Sequence, residues 1–225
     1  MMKKLISAAT LLFLAFNVSA QYKKASFFGK EGRTYEFAAQ MYRMEKGNGS
    51  PIGYRLAFGR DQDGKKLFMN WDIQYIPSHK YSYSTVDDNE QPVLVTGNSK
   101  PTFLYGYNFG YHLLSNEADD KPMVQPFIAA GINVLISSGI KNESYSPETY
   151  NYRKRNTADQ TISLGINGGL GVMVNFSPKW ALKVQGGYDR QLNISSNWDD
   201  EVRPFYVFNN HSYVSVGLRL RIVSE

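Results

Sequence analysis

Large apolar residues occupy every second position along most of the chain. In residues 34–44, Tyr35, Phe37, Ala39 and Met41 alternate with Glu36, Ala38 and Gln40. Ile52, Tyr54, Leu56 and Phe58 then alternate with Gly53, Arg55, Ala57 and Gly59, and Leu67, Met69, Trp71, Ile73 and Tyr75 with Phe68, Asn70, Asp72 and Gln74. Phe103, Tyr105, Tyr107, Phe109 and Tyr111 stand against Leu104, Gly106, Asn108, Gly110 and His112. The same rhythm returns around Ile128–Ile136, Ile162–Val174 and Trp180–Gln191, and it ends in "HSYVSVGLRLRI", residues 211–222. Successive side chains of a strand point to opposite faces. The alternation therefore predicts eight strands, each with one apolar and one polar or small face, most of them long enough for the roughly 9–11 tilted residues a bilayer requires.

The connections add a second regularity. After a short first one at residues 47–51, they alternate in length. Asp61-Gln-Asp-Gly64, residues 115–121 and residues 177–179 read as short turns, whereas residues 77–100, 139–159 and 193–210 read as long loops. Short turns at one end and long loops at the other predict an eight-stranded antiparallel up-and-down transmembrane β-barrel. A soluble barrel alternates too, so the direction of the faces has to come from their composition.

Ten glycines fall on the polar face, from Gly53 and Gly59 to Gly187 and Gly217. Small residues suit the crowded interior of a narrow barrel, while on a water-facing surface they would weaken the strands for no gain. The apolar face is almost without charge, Arg43 and Arg190 near strand ends being the exceptions. The apolar face is therefore expected to meet lipid. Arg219 and Arg221 then point inward; facing lipid at midplane, each would cost on the order of 2–4 kcal/mol. A lumen network follows, with Arg55, Lys183, Arg219 and Arg221 set against Glu36, Asp72 and Asp189, and His112 donating into it. Buried charges must be paired, so this interior is expected to be filled with side chains rather than open.

The first twenty residues, "MMKKLISAATLLFLAFNVSA", place two lysines before an apolar run and small residues at its end. That is the layout of a secretory signal peptide, expected over 1–20, with one barrel domain over 21–225. Removing Lys3 and Lys4 with it takes the formal charge from +5 to +3, too mild to argue for nucleic acid. The chain has no cysteine, which excludes disulfides and thiolate chemistry. Its 16 Tyr, 13 Phe and 19 Gly suit strands better than helices. No cofactor or metal is expected.

With the signal, the eight alternating strands and the hairpin "NFSPKWALKVQGGYDRQL" at residues 175–192, the chain resembles the small outer-membrane β-barrel family of OmpX or OmpA-barrel type. The resemblance implies a Gram-negative outer-membrane protein, surrounded by outer-membrane lipid and lipopolysaccharide and inserted by the barrel assembly machinery. It departs from the family at Ile222-Val-Ser-Glu225, where many such proteins close on an aromatic residue. Three functions stay open. The first is a non-enzymatic barrel whose long loops bind a partner protein, a surface ligand or lipopolysaccharide. The others are a rim-sited lipid A or peptide hydrolase using His79, His112 or His211, and a narrow porin-like channel. His211 and Ser212 are adjacent and so point to opposite faces, which argues against a shared site. The loop "KNESYSPETYNYRKRNT" carries the binding hint: Tyr145, Tyr150 and Tyr152 stand beside Arg153, Lys154 and Arg155. Aromatics with arginine make binding surfaces, though such residues also form ordinary headgroup girdles.

Overall fold

The computed structural model describes residues 32–44, 49–61, 65–86, 90–114, 122–137, 140–146, 161–195 and 210–222. They form eleven strands: β1 (Arg33–Met44), β2 (Ile52–Asp61), β3 (Leu67–Ile76), β4 (Lys80–Val86), β5 (Pro92–Ser99), β6 (Thr102–His112), β7 (Val124–Ser137), β8 (Ile140–Ser146), β9 (Thr161–Asn175), β10 (Trp180–Ser195) and β11 (His211–Arg221). Eight of them close into a barrel in the order β1-β11-β10-β9-β7-β6-β3-β2, every neighbour antiparallel. Closure pairs the first strand with the last, from Thr34 opposite Arg221 to Met44 opposite His211. A closed barrel leaves no backbone edge unpaired, which is the condition for strands to cross hydrocarbon.

The faces fall as the alternation predicts. Along β1, residues alternate between buried and exposed over nearly the whole strand. The exposed set is a belt of large apolar side chains, among them Phe37, Leu56, Ile132, Leu170 and Val216. Water is a poor neighbour for a contiguous surface of this extent, and lipid a good one. The lumen side is tight. A Cβ on Gly217 would lie 2.6 Å from the Ala38 Cβ and 2.8 Å from the Phe37 carbonyl, so β1 and β11 pack at a separation that only glycine allows there.

Two expectations need correcting. Residues 77–100 and 139–159 are not simply long loops: they contribute β4, β5 and β8, which make a separate three-stranded sheet in the order β4-β5-β8. β4 and β5 form a local hairpin, while the β5–β8 pairing joins segments some 50 residues apart, which no local signal announces. Asp61, read as the start of a turn, is instead the last residue of β2 and 1% exposed on the lumen side. The proposed signal segment and much of the last long connection lie outside the described residues.

Candidate functional site

The lumen is layered along the barrel axis. Tyr42 and Met44 of β1, Ile76 of β3, Leu104 of β6 and Leu135 of β7 form an apolar cluster where strands meet the long connections, with Tyr213 packed against it. Phe68 of β3, Phe127 of β7 and Met173 of β9 form another near the short turns. Charged and amide side chains fill the space between. Such groups are stable in a low-dielectric interior only when each finds its partners.

At the centre, Arg55 bridges two carboxylates. Its Nη1 lies 2.9 Å from Glu36 Oε1, and its Nε and Nη2 donate to Asp72 Oδ2 at 3.0 and 2.9 Å. Lys183 Nζ holds the other Glu36 oxygen at 3.1 Å. Asn108 and Gln74 donate to Asp72 at 2.7 and 3.1 Å, and Tyr42 Oη donates to Gln74 Oε1 at 2.8 Å. Both lone-pair sets of each carboxylate are thus used, with side chains from β1, β2, β3, β6 and β10.

Arg219 does not reach this cluster. It sits nearer the turn end, where its Nη1 meets Asp61 Oδ2 at 3.0 Å; the other Asp61 oxygen takes His112 Nε2 at 3.2 Å. Arg221 is buried on the same lumen face one step beyond. Asp61 is the residue that sequence reasoning missed. The parity of β2, running Gly53, Arg55, Ala57, Gly59, already pointed to it. The cations also lean on the lower apolar cluster, Lys183 over the Phe127 ring at 5.2 Å and Arg219 over Phe68 at 5.3 Å.

Asp189 is held differently. Asn133 and Gln191 donate amide hydrogens to it, and His211 Nε2 stands 4.0 Å away. No arginine or lysine pairs with it among the described residues. Between this group and the central one, the free space has room for about one water molecule.

The remaining candidates lie outside the lumen. Tyr145 falls in β8, its backbone opposite Val95. Tyr150, Tyr152, Arg153, Lys154 and Arg155 lie outside the described residues, as does Trp198. His79 stands at the root of the three-stranded sheet, its Nδ1 2.9 Å from Ser99 Oγ. Ser99 Oγ also accepts the His79 backbone N–H at 3.1 Å, and Ser99 N donates to the His79 carbonyl at 2.9 Å. A Ser–His contact invites a nucleophile–base reading, yet Ser99 is 2% exposed and its hydroxyl is enclosed by these bonds. The pair is a strut that ties the start of β4 to the end of β5. Burial holds the His79 imidazole below its ordinary pKa, against the Pro77 carbonyl, which favours the charged form. Among the described residues no group of His, Asp and Glu is arranged to hold a metal ion.

An apolar outer wall around a closed, ion-paired lumen defines an integral outer-membrane β-barrel of the eight-stranded kind. Its fold is similar to that in the crystal structure of Neisserial surface protein A (NspA), with a TM-score of 0.50 over 86% of this chain and 97% of that one at 13% identity. The N-terminal β-barrel domain of Pseudomonas aeruginosa OprF is 14% identical over 85% of this chain and 98% of that one, with a TM-score of 0.44. The outer membrane protein OprG from Pseudomonas aeruginosa is 9% identical over 86% and 97%, with a TM-score of 0.45. No family model matches the sequence, and no curated protein matches it.

Proposed function

We propose that this protein is a non-enzymatic, non-conducting outer-membrane barrel that carries a recognition surface on the long-connection side. One observation carries the reading. Apolar clusters pack inside the lumen toward both ends, and the charged groups between and beside them are spent on internal pairing, so the interior is a core and not a passage. What varies freely on such a scaffold is the connections. Here two of them invest in strands of their own, a cost without purpose for a simple linker, and the basic-aromatic stretch Tyr150–Arg155 adjoins the segment that supplies β8. Insertion through the barrel assembly machinery belongs to the same reading.

Two measurements test it. Planar-bilayer recordings on the purified protein are expected to show no unitary conductance, and stable channel openings would refute the closed lumen. Replacing residues 80–98 with a short glycine-serine turn should leave heat-modifiable gel mobility intact while abolishing capture of a partner from native membranes. Undiminished capture by that variant would refute recognition through the sheet.

A further inference from the structure

The outer wall is free of charge over most of its height, and its exceptions fall at two levels. Near the turn end, Arg33 of β1 and Arg60 of β2 lie directly opposite each other. At the loop end, Arg43 of β1 and Arg190 of β10 are exposed on the lipid-facing side. Arg33 and Arg43 are ten residues apart on one strand. At about 3.3 Å per residue and about 40° of tilt this is roughly 25 Å of membrane height, the thickness of the apolar band of an outer-membrane barrel. Arg43 and Arg190 therefore emerge at the headgroup level of the leaflet on the loop side.

They are also neighbours. Arg43 is opposite Ser212 of β11, and Ser212 is opposite Tyr188 of β10. Arg190 lies two residues beyond that row, toward the loop end, the direction in which barrel stagger offsets strand tilt. The two stems thus leave the wall at about the same height, some 12 Å apart by strand spacing and rise, with only the small hydroxyl of Ser212 between them. Neither arginine makes a side-chain hydrogen bond or an ion pair with the described residues. Elsewhere around the wall this level carries neutral side chains, such as Tyr75, Phe103 and Ile136. A ring of generic interfacial anchors would be spread round the barrel. These two are gathered on one side.

Beneath Arg190 the wall is thinned. Gly186 follows Tyr188 down β10, Gly168 of β9 is opposite Tyr188, and Ala130 of β7 is opposite Gly168. These are not the glycines that lumen crowding demands. A Cβ on Gly168 would meet nothing within 4 Å, and one on Gly186 only the Tyr213 carbonyl at 3.7 Å. The result is a shallow lipid-facing dent that starts below Tyr188, beneath two cations that have no partner among the described residues.

We propose that Arg43, Ser212 and Arg190 bind the phosphate of a phosphorylated glycolipid of the outer leaflet, with an acyl chain lying over Gly186, Gly168 and Ala130. Guanidinium groups match phosphate oxygens in geometry and charge, and the dent offers the chain closer contact with backbone than a Leu- or Phe-covered wall does. The site uses only the barrel wall and stands whether or not the three-stranded sheet binds a partner.

Native mass spectrometry of the detergent-solubilised protein, titrated with bisphosphorylated lipid A, reads the site directly. One retained lipid A adduct is expected, with affinity falling about tenfold or more in R43Q/R190Q, since charge-assisted hydrogen bonds are lost. Both side chains are exposed, and heat-modifiable mobility of the variant confirms that it is folded. Dephosphorylated lipid A should bind as weakly to the native protein, R33Q/R60Q should bind as tightly as native, and millimolar inorganic phosphate should not displace the lipid. Equal adducts on native and R43Q/R190Q protein would overturn the proposal, as would full displacement by phosphate alone. G168L/G186L should lower lipid A retention; a native dimer lost in that variant while retention stays unchanged would assign the dent to a second copy and overturn it too.

Discussion

The barrel lumen and the three-stranded sheet are built from the same kind of strand and held by different means. The lumen has no edge, and its carboxylates at Glu36, Asp72 and Asp61 each meet a cation at about hydrogen-bond distance. The sheet β4-β5-β8 has two outer strands among the described residues, and its buried apolar residues are Tyr81, Val93 and Val95. Cross-strand contacts such as Thr96 Oγ1 to Ser144 Oγ at 2.8 Å and the His79–Ser99 strut supply the rest. The barrel depends on charges that have no alternative partner once buried, and the sheet on a few apolar contacts and local hydrogen bonds, so the sheet should open while the barrel stays closed.

The largest expected effect is on the barrel. Arg55→Ala strands Glu36 and Asp72 without their shared cation, and removing one partner of a buried pair costs about 3–5 kcal/mol. The midpoint of the heat-modifiable gel shift should fall markedly; an unchanged midpoint would mean that water satisfies those carboxylates. Val95→Ala should act on the sheet alone. Loss of two buried methyl groups and the cavity they leave is worth about 2 kcal/mol. Limited proteolysis should then cut within residues 80–98 faster while the barrel keeps its folded mobility. A matching fall in the barrel midpoint would show the two regions to be one cooperative unit.

Acid supplies a smaller, reversible test. The His79 imidazole titrates below its ordinary value because it is partly buried. The folded sheet therefore binds fewer protons there than the unfolded one, its contribution is complete above the ordinary histidine pKa of about 6.5, and it is lost as pH falls from there toward the lowered folded value. Hydrogen exchange of Val95–Asn98 should accelerate over that range in the native protein and much less in His79→Gln. Equal acid sensitivity of both would assign the effect elsewhere. Smallest of all is Asp189→Asn. Its hydrogen-bond partners are amides that can turn to suit the new group, and His211 stands 4.0 Å off, so the cost is about 1 kcal/mol, and a loss as large as that of Arg55→Ala would reveal a charge partner of equal weight.

The barrel was legible because period-two alternation is enforced by backbone geometry alone. Composition then oriented it: glycine crowding at positions such as Gly217 and the placement of Arg219 and Arg221 can be judged without coordinates. The pairing inside was not. Parity puts Arg219 in the lumen but says nothing of height, and height decides that it meets Asp61 and not Glu36. Asp61 itself was hidden by its neighbours, since Asp-Gln-Asp-Gly spells a turn as readily as it ends a strand. The sheet β4-β5-β8 was invisible for a further reason. "KYSYSTV" alternates two tyrosines with serines and has no strongly apolar face, and the pairing of β5 with β8 joins residues distant in sequence.

Both regions rest on a barrel whose large apolar side chains look into hydrocarbon. The native chain has no cysteine, so one fluorophore can be placed at Leu56→Cys and another at Leu182→Cys without background. In vesicles containing brominated lipid, both probes are expected to be strongly quenched by the lipid and insensitive to aqueous iodide. Quenching by iodide with none from the brominated chains would turn the barrel inside out.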